Sequence, residues 1–112
     1  MVNVRIEERH PVRLTDGEVK EMKSLQIAGG TIWPDYLKYK KDSGSLVFLA
    51  KWGDQIIGWG LRYLAADKKY YHQLFVKKGH RGKDVGKKIR REVLRSLTST
   101  DNLQLGSYNF KE

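Results

Sequence analysis

Leu74-Phe75-Val76-Lys77-Lys78-Gly79-His80-Arg81-Gly82-Lys83-Asp84-Val85-Gly86-Lys87-Lys88-Ile89 is the stretch that decides how this chain folds. It opens on an apolar run and crosses a basic loop containing Gly79 and Gly82. It then enters a segment in which Val85, Ile89, Val93 or Leu94, and Leu97 recur at helical spacing. Lys83 or Asp84 opens that helix. A helix N-terminus carries amide donors with no intrahelical partner and a partial positive charge, so it is a ready anion site. Gly82 and Gly86 let backbone amides approach a phosphate with no Cβ in the way. Arg81, Lys83 and Lys87 add mobile positive charge. Residues 77–95 hold nine lysines and arginines against two acids, a local excess of seven within a chain of net charge +9. Such a cluster attracts a polyanion: nucleic acid, an anionic membrane surface or a phosphorylated cofactor. The glycines favour the cofactor over a merely solubilising helix face.

Spacing excludes two familiar phosphate loops. Gly82-Lys83-Asp84-Val85-Gly86-Lys87-Lys88 has one residue too few between its glycines for a Walker A loop, and Lys88 stands where the magnesium-binding hydroxyl belongs. Gly58-Trp59-Gly60 lacks the third glycine of a dinucleotide fingerprint and lies inside a strand that leads to another strand.

Upstream, three strands follow one another. Ser45 to Trp52 places Leu46, Phe48 and Ala50 on one face and Val47 and Leu49 on the other, so both faces are apolar and the strand is expected inside the sheet. Gly53-Asp54 makes a two-residue turn into Gln55 to Leu64. A polar connector, Ala65 to Lys69, leads to the strand Tyr70 to Lys77. At the N-terminus Val2, Val4 and Ile6 alternate with polar residues, which predicts a strand over 2–8. Thr15 and Glu18 form a capping box, and Val19, Met22 and Leu25 or Gln26 continue a helix that Gly29-Gly30 stops. Residues 31–44 read as a loop and a short helix, and Leu103 to Tyr108 as a last strand. That strand follows a helical crossover and is expected parallel to 70–77. The order is β-α-α-β-β-β-α-β, a single α+β domain over residues 1–112 with a mixed, mostly antiparallel sheet flanked by helices.

Leu74-Phe75-Val76, the basic connector and Arg81-Gly82-Lys83-Asp84-Val85-Gly86 together resemble the coenzyme A motif of the GNAT superfamily of N-acetyltransferases, Arg/Gln-x-x-Gly-x-Gly/Ala after an apolar strand and opening a helix. Arg81 and Gly86 match, whereas Asp84 stands at the usual middle glycine. A carboxylate there either caps the helix or, turned inward, repels a diphosphate. The element order over residues 2–108 resembles the family as well. The resemblance implies that acetyl-CoA is the cosubstrate and that an acetyl group passes to a primary amine of a small molecule or protein. It implies that the backbone around Leu74, Phe75 and Val76 pairs with the pantetheine arm. Residues Arg81, Gly82, Lys83, Asp84, Val85, Gly86 and Lys87 would hold the diphosphate.

Acyl transfer needs a neutral amine, and a lysine-type amine with a pKa of about 10.4 needs a base. His72 shares strand parity with Leu74 and Val76 and is the first candidate, with Tyr70 as its substitute or support. Asp67 reads better as a turn residue. The family's acid is often a tyrosine in a helix after the last strand. Asn109 matches the asparagine that opens that helix, the tyrosine would fall beyond Glu112, and Tyr108 is the nearby substitute. Trp33 and Tyr36, with Tyr39, either line the acceptor pocket or cover the core. The family's final two strands are not expected within these residues, and the sheet edge left without them would suit a homodimer.

The remaining expectations come from composition. There is no cysteine, and His10, His72 and His80 lack metal-ligand spacing, so no metal is expected. No apolar run approaches the ~20 residues of a membrane span, and no signal-peptide core precedes the first strand. A cytoplasmic protein is expected. A basic nucleic-acid-binding module, or a catalytically inactive acetyl-CoA-binding interaction domain, is the alternative.

Overall fold

A computed structural model gives the architecture, describing residues 3–25, 44–64, 67–77, 79–80 and 84–97 and the backbone of 103–105. The elements are β1 (Arg5–Arg9), a 3-10 turn (Pro11–Arg13), α1 (Asp16–Leu25), β2 (Leu46–Trp52), β3 (Gln55–Leu64), β4 (Tyr70–Val76), α2 (Val85–Arg95) and β5 (Leu103–Leu105). The five strands form one sheet in the order β1-β2-β3-β4-β5. The first four run antiparallel to one another in succession, and β5 joins β4 in parallel, as the helical crossover predicts. The short helix read between residues 31 and 44 falls outside the described residues apart from Gly44.

Two apolar layers hold the helices. Val47, Leu49, Trp59, Leu61 and Phe75 point to one side of the sheet, where Val19, Met22 and Leu25 of α1 cover them. Phe48, Ala50, Leu74 and Val76 point to the other side, under Val85, Ile89 and Val93 of α2. This explains why β2 is apolar on both faces: each face is buried, and β2 lies between β1 and β3. The capping box at α1 forms as expected, Glu18 N–H donating to Thr15 Oγ1 at 3.0 Å and Thr15 N–H to Glu18 Oε1 at 2.9 Å.

The β2–β3 register slips between Ala50 and Lys51. The slip makes Ile57 the extra residue and turns it, like Gly58, toward α2. It also takes the Ile56 N–H out of the ladder, and Glu21 Oε2 of α1 accepts that hydrogen at 3.0 Å. One carboxylate therefore ties α1 to the irregular point of the sheet.

β1 spans Arg5–Arg9, further along than the strand expected over 2–8. Its far end is held on the α1 side of the sheet. Arg9 Nη2 meets Glu7 at 2.6 Å and Glu18 at 3.4 Å, and Lys51 Nζ reaches the same two carboxylates. The Arg5 and Arg9 guanidinium groups, with help from Lys51, hold the Glu7 carboxyl down at about 2, against an ordinary 4.5. A depressed carboxyl adds stability above its unfolded pKa, and that stability is lost as pH falls through the folded value. In urea unfolding, Glu7→Gln is therefore expected to cost about 1 kcal/mol at neutral pH, the modest worth of a partly exposed network. The difference from the parent chain should shrink between about pH 4.5 and pH 2. A difference that persists undiminished at pH 2 would assign the cost to packing instead.

Candidate active site

The edge of β4 follows from one hydrogen bond and the strand register. Lys77 N–H donates to Ile57 O at 2.8 Å. In an antiparallel ladder, directly opposed residues alternate between bonded and non-bonded pairs. Lys77/Ile57, Phe75/Trp59, Gln73/Leu61 and Tyr71/Tyr63 are then the bonded pairs. The N–H and C=O groups of Tyr70, His72, Leu74 and Val76 consequently point away from β3. β5 takes up the first part of that edge, with Leu103 beside Tyr70 and Leu105 beside His72. Among the described residues it reaches no further. Leu74 thus presents its backbone groups outward just past the point where β5 pairing stops.

The N-terminus of α2 stands at the same end of the sheet. β4 ends at Val76, His80 N–H returns to Lys77 O at 2.9 Å, and Gly79 takes φ +97° in that turn, a conformation open to glycine. Arg81, Gly82 and Lys83 lie outside the described residues. Asp84 adopts φ 63° and ψ 13°, and its side chain makes no capping hydrogen bond. The capping reading of Asp84 is therefore not met, and neither is an inward turn: the side chain is 75% exposed, with Lys87 Nζ 3.7 Å from its Oδ1. The left-handed backbone explains the departure from the glycine motif. That conformation suits glycine, and Asp and Asn are among the few other residues that enter it readily.

Two glycines set how closely α2 lies on the sheet. A Cβ on Gly60 would stand 2.6 Å from Ile89 Cγ2, and one on Gly58 would meet Phe75 O at 3.0 Å. Gly58-Trp59-Gly60 is thus a seat for α2. The far end of the helix is held from β3. Arg62, nearly buried, donates from Nη1 to Ser96 O at 3.1 Å and to Ser96 Oγ at 2.8 Å, placing a cation where helix carbonyls end. Its Cζ also lies 5.2 Å from the centre of the Tyr70 ring. Sequence alone does not single out Arg62. The available signal was a charge at an α2-facing position within a strand otherwise apolar on both faces.

The named site residues separate into three groups. Leu74, Val76, Val85 and Gly86 are buried where β4 meets α2, and Lys87 is exposed on the first turn of α2. Phe75 faces the other way, stacked on Trp59 with ring centres 4.7 Å apart, and its backbone pairs with β3, not with the open edge. His72 is 0% exposed and lies on the α2 side, next along the edge from Leu74. Arg62 stands opposite it on β3. Tyr70 is half-buried one step further. Trp33, Tyr36 and Tyr108 fall outside the described residues. Asp67 acts as a turn residue: Oδ1 accepts from Lys69 N–H at 3.0 Å and Oδ2 from the Tyr71 hydroxyl at 2.6 Å. The Tyr71 hydroxyl lowers the Asp67 carboxyl, and Asp67 in turn raises the Tyr71 phenol. Among the described residues no group of His, Asp and Glu could hold a metal ion, and no helix is long and apolar enough to cross a membrane.

The fold has known counterparts. Residues 22–108 match the family model of the acetyltransferase (GNAT) domain. The chain belongs to the GNAT acetyltransferases, whose shared reaction is acetyl transfer. Solved structures share the fold at low sequence identity. An aminoglycoside acetyltransferase from an uncultured soil metagenomic sample, in complex with sisomicin, is 16% identical with a TM-score of 0.69, covering 95% of this chain and 78% of that one. A ribosomal-protein-alanine N-acetyltransferase from Brucella melitensis is 16% identical with a TM-score of 0.63, covering 95% and 81%. A GNAT family acetyltransferase from Streptococcus pneumoniae is 17% identical with a TM-score of 0.69, covering 95% and 76%. No curated protein matches the sequence.

Proposed function

We propose that the protein is an N-acetyltransferase that takes the acetyl group from acetyl-CoA and passes it to a primary amine. The observation that carries this reading is the outward-facing backbone of Leu74, on the strand that leads toward the N-terminus of α2. An extended amide-bearing arm such as pantetheine pairs with an exposed strand edge as an added strand would. A diphosphate at its far end meets the amides that open α2, with Lys87 on the same first turn. The thioester carbonyl then lies near the Leu74 N–H. That donor stabilises the oxyanion formed when the amine nitrogen attacks the carbonyl carbon. Collapse of the intermediate breaks the carbon–sulfur bond, and the thiolate leaves and takes up a proton.

His72 is the base of this reading and Tyr70 its support, with Tyr108 as the acid, and Trp33 and Tyr36 line the acceptor side. The lysines around Trp33 and Tyr36 favour a neutral or acidic acceptor over a strongly basic one. The complete burial of His72 favours a second reading, in which the domain binds acetyl-CoA without turning it over.

Calorimetric titration with acetyl-CoA tests binding, and thiol release across an amine panel tests transfer. No heat at high micromolar ligand sinks both readings, and heat without thiol release leaves the inactive one. His72→Gln is expected to slow transfer and remove the acidic limb of its pH profile. A slower rate with an unaltered profile would make His72 a packing residue.

A further inference from the structure

The opposite edge of the sheet carries a second set of outward-facing backbone groups. Carried across the sheet, the alternation that orients β4 directs Arg5, Glu7 and Arg9 of β1 toward β2, and Ile6 and Glu8 away from it. Among the described residues no strand pairs with that side of β1. Beside it, between β1 and α2, runs a cleft of about 300 Å³ lined by Val4, Ile6, Lys88, Arg91, Glu92 and Arg95. Its floor is apolar and its wall cationic. The single acid, Glu92, is engaged with Arg95 at 3.0 Å. Lys88 Nζ donates to Val4 O at 3.2 Å, so a side chain already satisfies one backbone carbonyl beside this strand.

We infer that the β1 edge and its cleft form a docking site for an extended acidic peptide segment of a partner protein. An added strand would pair with the backbone of Ile6 and Glu8. Every second side chain would then enter the cleft, past Lys88, Arg91 and Arg95. Acidic residues at those positions match a lining of three cations and one acid, a net excess of two positive charges, and intervening methyl groups match Val4 and Ile6. The exposed edge distinguishes a peptide from a nucleic acid. A phosphodiester chain has no N–H donor to offer the carbonyls of Ile6 and Glu8, whereas a peptide meets donors and acceptors alike. The site lies on the strand farthest from β5 and does not depend on the acetyl-CoA reading.

Fluorescence anisotropy at low ionic strength tests this with a labelled peptide of alternating Asp and Val. The full chain is expected to bind it, and binding should weaken as salt screens the charges. The Arg91→Glu/Arg95→Glu variant should bind roughly tenfold or more weakly, with its thermal melt confirming that the fold is kept. The same peptide N-methylated at alternate residues keeps its charge and leaves the protein untouched. It should also lose roughly tenfold or more, because strand pairing is blocked. Undiminished binding of the N-methylated peptide would overturn the proposal. So would equal binding of an oligonucleotide of matched charge, or no binding of the Asp-Val peptide at millimolar concentration.

Discussion

Replacing Gly86 by glutamate is expected to weaken acetyl-CoA binding by at least about a hundredfold. Gly86 is buried in the first turn of α2, beside the loop whose amides would take the diphosphate. On the acetyl-CoA reading, a side chain there would fill the space a phosphate needs. Its carboxylate would also oppose the phosphate charge, and like charges ~4 Å apart near a protein surface repel by about 4 kcal/mol. Each 1.4 kcal/mol is about tenfold in affinity, so charge alone exceeds the stated loss. Glutamate is the better helix former by roughly 0.5–1 kcal/mol, which offsets part of the strain of adding atoms at a buried position. A thermal melt decides whether the fold is kept, and Lys87→Glu supplies a control on an exposed residue, expected to lose about tenfold. Asp84→Gly should bind at least as tightly as the parent, since it removes an exposed carboxylate and leaves a left-handed residue that glycine adopts freely. Calorimetry reads all three. If Gly86→Glu folds and binds as the parent does, the ligand lies elsewhere.

The second large effect is on stability. Gly60→Ala should lower it by about 2 kcal/mol, as overpacking of a filled core does, and lower the melting temperature by about 10 °C in a domain of this size. The cause is specific: a Cβ on residue 60 would stand 2.6 Å from Ile89 Cγ2. Leucine branches one carbon further out and has no atom equivalent to Cγ2. Ile89→Leu in the Gly60→Ala background is therefore expected to recover a large part of the loss, and to do little or slight harm alone. A double-mutant cycle with no coupling would show that the α2 seat does not depend on this contact.

Much of the architecture was legible because it rests on local patterns. The two-sided apolarity of β2, the Thr15–Glu18 capping box and the helical recurrence of Val85, Ile89 and Val93 each belong to one segment. All three appear where expected. The element order led to the GNAT resemblance, and the family match covers residues 22–108. Less of the site was legible. In the sequence Gly58 and Gly60 are only a failed nucleotide motif, and their role comes from the packing of Ile89 against them. Arg62 showed no role until α2 ended beside it. Phe75, named with its neighbours for the cofactor, turned out to face α1.

What the sequence by itself determined is that segment 80–88 is a basic, glycine-bearing entry into a helix, because charge, glycine position and hydrophobic period are properties of contiguous residues. Only the tertiary structure decided what stands beside that entry. The slip between Ala50 and Lys51, the direction of the Leu74 and Val76 backbone groups and the burial of His72 all arise from pairing between distant strands. The left-handed backbone of Asp84 falls between the two. Its residue type permits that conformation, but only the structure shows that the residue adopts it.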